Sequence, residues 1–261
     1  MRYVGRALAA AGSSHDGVRR LYAQSLIETR DFSTAKSVLD ALISGDDTSS
    51  RERFEACGLL GRLFKQRYVD APSDPSAPNW LAQAIEAYEA VYRQDHQQFW
   101  HGVNAASCML RAARDHVHAG SRFRAREIAE QVLMELDTLA VVGRLEVWDC
   151  ASLVEALVAL EHFESASAAL GDYLHHTALT AFEVSSTLRQ FDRVLELGRR
   201  QPGGDLLERL QHSALRYRAG GLTAGTQSGA SALQAMPMHE MALAPDGPTM
   251  SPLVMRVSHP G

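Results

Sequence analysis

Apolar positions recur at helical spacing almost throughout this chain, and no stretch alternates in the manner of a half-buried strand. Two segments share one template. Residues 23–39 set Ala23, Leu26, Phe32, Ala35 and Leu39 in register, and residues 154–170 set Val154, Leu157, Phe163, Ala166 and Leu170 at the same offsets. A third copy, Gly61 and Phe64 followed by Leu81, Ala84 and Tyr88, matches once a loop is allowed between its halves. The small first residue lets two helices approach closely, and the Ala lets the second helix lie against the first. The pattern predicts antiparallel helix pairs stacked side by side, each burying the face its neighbour exposes.

That helix–turn–helix spelling is the tetratricopeptide one. It predicts an all-α superhelix, an α-solenoid, over residues 1–218. Asp16 or Gly17 opens a helix to about Thr29, Asp31 caps the next, and Ser49 and Ser50 precede the helix holding Phe54 and Phe64. Residues 70–79, with three prolines in seven positions, read as a break of all regular structure inserted in the second repeat. Helix resumes at Trp80. Further pairs cover 99–115 with 121–138 and 144–160 with 163–174. A single helix runs from about Ala181 to Arg200, and a last one, Asp205 to Arg218, caps the stack. Residues 219–261 hold Gly220, Gly221, a Gly/Ser/Thr run, five prolines and only three charges apart from His. This composition predicts a disordered tail.

The totals narrow the classes. The chain has 261 residues, 46% hydrophobic and 22% charged, as in ordinary soluble proteins. A net charge of −5 argues against a molecule built to embrace a polyanion. Arg outnumbers Lys by 24 to 2, which we read as genome composition. Cys57, Cys108 and Cys150 are odd in number and widely spaced, so no disulfide framework is expected, and a reducing cytoplasm fits best. The start, Met1-Arg2 then Ala7 to Ala11, carries an apolar run too short for a secretory leader. No stretch reaches the ~20 apolar residues of a membrane span.

Signals for catalysis are missing. There is no Gly-Lys-Ser/Thr phosphate loop. Ser228 sits one place too late for a nucleophile elbow, and Leu243 stands where a zinc-protease helix needs a second His after His239. The pairs His116/His118 and His175/His176 lack the spacing that puts two imidazoles on one helix face. No catalytic residue, metal site or cofactor is expected, and the chain reads as non-enzymatic.

Binding is the better prospect. The first helices of successive repeats line the concave face of such a superhelix. With Ala23, Gly61 and Val154 as packing positions, Arg20, Gln24, Glu28, Arg62, Lys65, Gln66 and Glu155 point into the groove, and its Arg20, Arg62 and Lys65 suit an extended acidic or carboxylate-ended peptide. Trp100-His101-Gly102-Val103-Asn104 allows two readings. Either Trp100 packs between repeats and Asn104 bonds a carbonyl, or His101 or Asn104 faces a ligand. Trp148 and Arg189-Gln190 carry the same ambiguity. A rival anion site is the cluster Arg111, Arg114, Arg122, Arg124 and Arg126, with only Asp115 among its residues. It would bind nucleic acid or a nucleotide, against which stands the acidic whole.

Four strings narrow the family. Val18-Arg-Arg-Leu-Tyr-Ala-Gln-Ser-Leu-Ile, Leu59-Leu-Gly-Arg-Leu-Phe-Lys-Gln-Arg-Tyr-Val, Trp100-His-Gly-Val-Asn-Ala-Ala and Ser186-Thr-Leu-Arg-Gln together resemble bacterial tetratricopeptide proteins of the TRAF-binding-domain type. That family is named for the regulatory region of apoptosis signal-regulating kinases. The resemblance covers roughly 18–200. It implies a protein-interaction scaffold, in bacteria often linked to effectors such as trypsin-like serine proteases. Nothing after Arg218 reads as a catalytic domain, so a stand-alone or truncated regulatory module is expected.

Overall fold

The computed structural model describes residues 16–117, 120–199 and 202–224, with side chains to Arg216. Its helices are α1 (Asp16–Glu28), α2 (Phe32–Ser44), α3 (Ser50–Asp70), α4 (Ala77–Gln94), α5 (Phe99–Arg114), α6 (Arg122–Val141), α7 (Val147–Ala159), α8 (Phe163–Leu174), α9 (Ala181–Arg189) and α10 (Gly204–Ala224). Consecutive helices pack in pairs, and alternate helices pack as well, α1 on α3 and α5 on α7. This is an all-α tetratricopeptide-like superhelix, as the periodicity predicts.

The template residues are the core. Ala23, Ala35, Leu39, Ala84, Tyr88, Val154, Ala166 and Leu170 are all fully enclosed. Gly61 shows why the first position must be small: a Cβ there would meet the Tyr88 ring at 2.9 Å. Tyr88 is itself fully buried and cannot swing away.

The turns repeat too. Arg30 and Glu161 both adopt left-handed backbone, at φ 60° and 66°. In the first turn Arg30 N–H donates to Ile27 O and Asp31 N–H to Leu26 O; in the other, Glu161 N–H donates to Val158 O and His162 N–H to Leu157 O. These are the paired bonds of a Schellman cap, which satisfy the last carbonyls of α1 and α7. The repeat is thus encoded in its turn as well as its core. A non-glycine residue holds this conformation at a cost.

Four boundaries differ from the sequence reading. α3 continues to Asp70 and α4 starts at Ala77 rather than Trp80, so the break shrinks to residues 71–76. Pro78 lies in the first helical turn, where a missing N–H costs nothing. The single helix expected over 181–200 is instead α9, a π-helical turn Gln190–Val194 and a 3-10 turn Leu197–Arg199. Finally, α10 continues to Ala224, six residues into the segment read as tail. The remainder of that segment, 225–261, lies outside the described residues.

Two predictions follow from these contacts. Gly61→Ala should destabilise the fold by about 1–3 kcal/mol through overpacking against Tyr88, read as a lower midpoint in thermal unfolding. Glu161→Gly should raise stability by about 0.5–1 kcal/mol by relieving the left-handed residue, read in the same assay.

Candidate functional site: the bore of the superhelix

α1, α3, α5, α7 and α9 with its π-helical turn, the first helix of each pair, converge on one cavity of about 610 Å³. α3 contributes Arg51, Glu55, Leu59, Arg62, Lys65, Gln66 and Val69, spaced by three or four residues and so on one helical face. Of the groove candidates, Arg20, Gln24, Arg62, Lys65, Gln66, Asn104 and Glu155 line it, whereas Glu28 does not and pairs with Arg62 instead.

The outer cations have partners. Arg20 Nε lies 2.7 Å from Glu52 Oε2, Arg62 pairs with Glu28, and Arg193 Nη1 stands 3.6 Å from Asp70. The inner end is different. Lys65 donates to two amide oxygens, Asn104 Oδ1 and, at 2.8 Å, Gln190 Oε1. Burial pulls its ammonium below the ordinary range. Glu155 is 6% exposed and its Oε2 accepts no hydrogen bond. Burial pushes its carboxyl up to about 7, with the Lys65 charge and the nearby Gln190 amide opposing.

Arg189 and Gln190, at the end of α9, form the facing wall. Gln190 reaches Lys65 across 125 positions of sequence. α5 holds that wall in place. Arg111 Nη1 donates to Arg193 O at 2.9 Å, while Arg114 donates to Leu195 O at 3.0 Å and Val194 O at 3.1 Å. Both guanidiniums also pair with Glu196, at 3.2 and 3.3 Å. The arginine cluster is therefore divided. Arg111 and Arg114 clasp the π-helical turn, Arg124 pairs with Glu89 and Glu127, and Arg122 and Arg126 are exposed on α6.

The tryptophan motif divides as well. Trp100 and Asn104 line the cavity, and Asn104 Nδ2 also donates to Trp100 O at 2.8 Å. His101 turns away: its Nε2 sits 3.1 Å from Phe54 O, and burial drives the imidazole down to about 4, so the neutral ring donates there. Trp148 lines the bore and packs edge-on to Phe182, centroids 6.0 Å apart. Phe182, Ser186 and Thr187 were not singled out as binding residues in sequence. Their signal, a helix face continuous with Arg189, emerges only once α9 is known to return to the bore.

The cysteines are free, and no metal-binding group of His, Cys, Asp or Glu occurs among the described residues. No helix among them is long and apolar enough to cross a membrane.

Residues 2–109 match the family described as Tetratricopeptide Repeats-Sensor. No curated protein matches the chain, and no solved structure does. The match ends inside α5, so the likeness spans the first two helix pairs and the start of the third. It agrees with the geometry. The fold is of the tetratricopeptide type, whose repeats generally mediate protein–protein contacts.

The buried carboxyl gives a testable pH dependence. A folded pKa of about 7 against an ordinary 4.5 means the folded state keeps a proton the unfolded chain has lost. Below pH 4.5 the group contributes nothing; stability then falls as pH rises to about 7. Glu155→Gln removes that fall. The stability of the variant relative to wild type should climb by up to about 3 kcal/mol between those limits, measured by urea unfolding at a series of pH values.

Proposed function

We propose that this chain is a non-enzymatic recognition module that holds an acidic segment of a partner protein in the bore of its superhelix. The observation that carries the reading is the charge of the cavity lining. Arg20, Arg51, Arg62, Lys65, Arg189 and Arg193 face it with Glu55, Glu146 and Glu155; Glu52, Glu28 and Asp70 pair with three of the cations, which leaves Arg51, Lys65 and Arg189 without an ion pair among the described residues. In a molecule of net charge −5 that concentration is local. It focuses an attractive field on an anionic segment entering the mouth. Leu59, Trp100, Trp148 and Phe182 supply the apolar contacts from which affinity comes.

Such a module acts by position. It holds its partner against, or away from, a third component, and its role is regulatory. The resemblance to bacterial TRAF-binding-type repeat regions supports the regulation of an effector such as a serine protease. A cytoplasmic setting is consistent with three free thiols.

The nucleic-acid alternative draws less support, because Arg111, Arg114 and Arg124 are already engaged within the fold. Selection from a displayed random-peptide library separates the readings. Wild-type protein should enrich Asp- and Glu-rich sequences, and Arg62→Glu/Lys65→Glu should lose at least about tenfold in affinity, with circular dichroism unchanged. Enrichment without acidic bias, or full retention by the double variant, would overturn the groove reading. Salt-steep capture of single-stranded DNA lost on neutralising Arg122 and Arg126 would favour the alternative.

A further inference from the structure

Arg189 is the least compensated charge in the bore. Its guanidinium donates to Ser186 Oγ at 3.2 Å and forms no ion pair among the described residues, with Glu28 acting on it only at longer range. Burial, and then the neighbouring Arg62 charge, pull it below its ordinary range. Lys65 beside it donates to two amide oxygens and has the buried Glu155 carboxyl as an acidic neighbour. Gln190 is 5% exposed, and its Nε2, beside Glu155, makes no well-formed hydrogen bond. So a buried guanidinium without an ion pair and a buried amide donor without a well-formed hydrogen bond stand beside Lys65 on the cavity wall. Buried charges left without counter-ions destabilise a fold, and well-packed apolar residues would serve stability better. On a cavity wall such groups are available to a ligand.

We propose that the inner end of the bore is a binding site for a small organic anion bearing a phosphate or carboxylate, gripped between Arg189 and Lys65 and oriented by the Gln190 amide. The cavity, about 610 Å³, lies within the ~300–1,000 Å³ of small-molecule sites. Trp100, Trp148 and Phe182 on its wall receive the carbon skeleton. The Arg189 guanidinium offers the planar fork that matches either oxyanion, and Glu155, held largely protonated below neutral pH, does not repel it.

The site joins elements that are distant in sequence. Lys65 belongs to the second helix pair, while Arg189 and Gln190 sit where α9 passes into the π-helical turn. An anion between them bonds both walls and so holds α9 on the bore. The ligand thereby acts as an effector of the shape of the groove. This goes beyond the peptide reading and does not depend on it.

The test is thermal unfolding of the full chain in about 0.1 M NaCl. It is titrated to about 1 mM with sodium pyrophosphate or, separately, sodium citrate, which distinguish phosphate from carboxylate ligands. At least one probe should raise the wild-type midpoint saturably by about 3 °C or more. Arg122→Gln, at an exposed arginine of α6, should respond equally. Arg189→Gln should lose most of the shift while its unliganded midpoint stays level or rises. No shift with either probe, a shift that survives Arg189→Gln, or one abolished by Arg122→Gln would overturn the proposal. Should Arg189→Gln fail to fold, tryptophan fluorescence of wild type decides: a saturable change over the same range supports the site, and none overturns it.

Discussion

The shape of this molecule depends on how α5 grips the far end of the chain. Arg111 and Arg114 donate to the carbonyls of residues 193–195, the groups a helix end leaves unsatisfied. Glu196 then neutralises both guanidiniums. The π-helical turn before it is an uncommon conformation, and the clasp supplies partners for backbone that would otherwise be stranded. Because that turn is fixed, α9 lies across the bore rather than continuing the outward stack. An open groove becomes a cavity with a closed inner end. Two residues that look from sequence like an anion site thus create the architecture of a different one.

The interior chemistry of the cavity runs against stability. Glu155 keeps an unpartnered oxygen at 6% exposure, Gln190 an unpartnered amide at 5%, and Arg189 forms no ion pair among the described residues. Buried polar atoms without partners also occur outside the bore, at Arg53, Tyr88, Tyr92, His101 and Ser107, but the cations at its rim, Arg20 and Arg62, each have an acidic partner. Natural folds break their own packing rules chiefly where a function requires it. The contrast between satisfied rim and unsatisfied interior therefore localises function more sharply than the charge count alone. Lys65 and Arg62 illustrate it. They lie three residues apart on one helix, yet Arg62 is ion-paired with Glu28, whereas Lys65 donates to amide oxygens and has only the buried Glu155 as an acidic neighbour among the described residues.

The fold was legible because its constraints are local. Gly61, Ala84 and Tyr88 describe one contact between adjacent helices, and the spacing that produces it is written in consecutive residues. The groove was legible for the same reason: once Ala23 and Gly61 face a neighbouring helix, periodicity dictates where Arg20 and Lys65 point. What escaped was non-local. Nothing in Ser186–Gln190 announces that α9 will meet α3 more than a hundred residues earlier, so Arg189 and Gln190 remained ambiguous. The π-helical turn escaped because its cause lies in Arg111 and Arg114 rather than in its own residues. The prolines were read too strongly. Pro78 looks like a breaker, but at the start of α4 it is a helix-compatible residue.

A repeat array normally offers its concave face to whatever partner has the complementary surface, and its affinity is then fixed by that surface alone. Closure by α9 adds a second variable. The wall bearing Arg189 is held by α5 from outside the bore, and from inside by the Lys65–Gln190 hydrogen bond, the Arg193–Asp70 ion pair and the Trp148–Phe182 packing. The hydrogen bond uses groups that also face the cavity. Any occupant that satisfies Arg189 and Lys65 together strengthens the inner hold, while one that takes Lys65 alone competes with that bond. The same residues therefore set both how tightly the bore is closed and what it accepts. A module so built couples the recognition of its ligand to the geometry it presents to a partner, which an open groove with fully paired charges would not do.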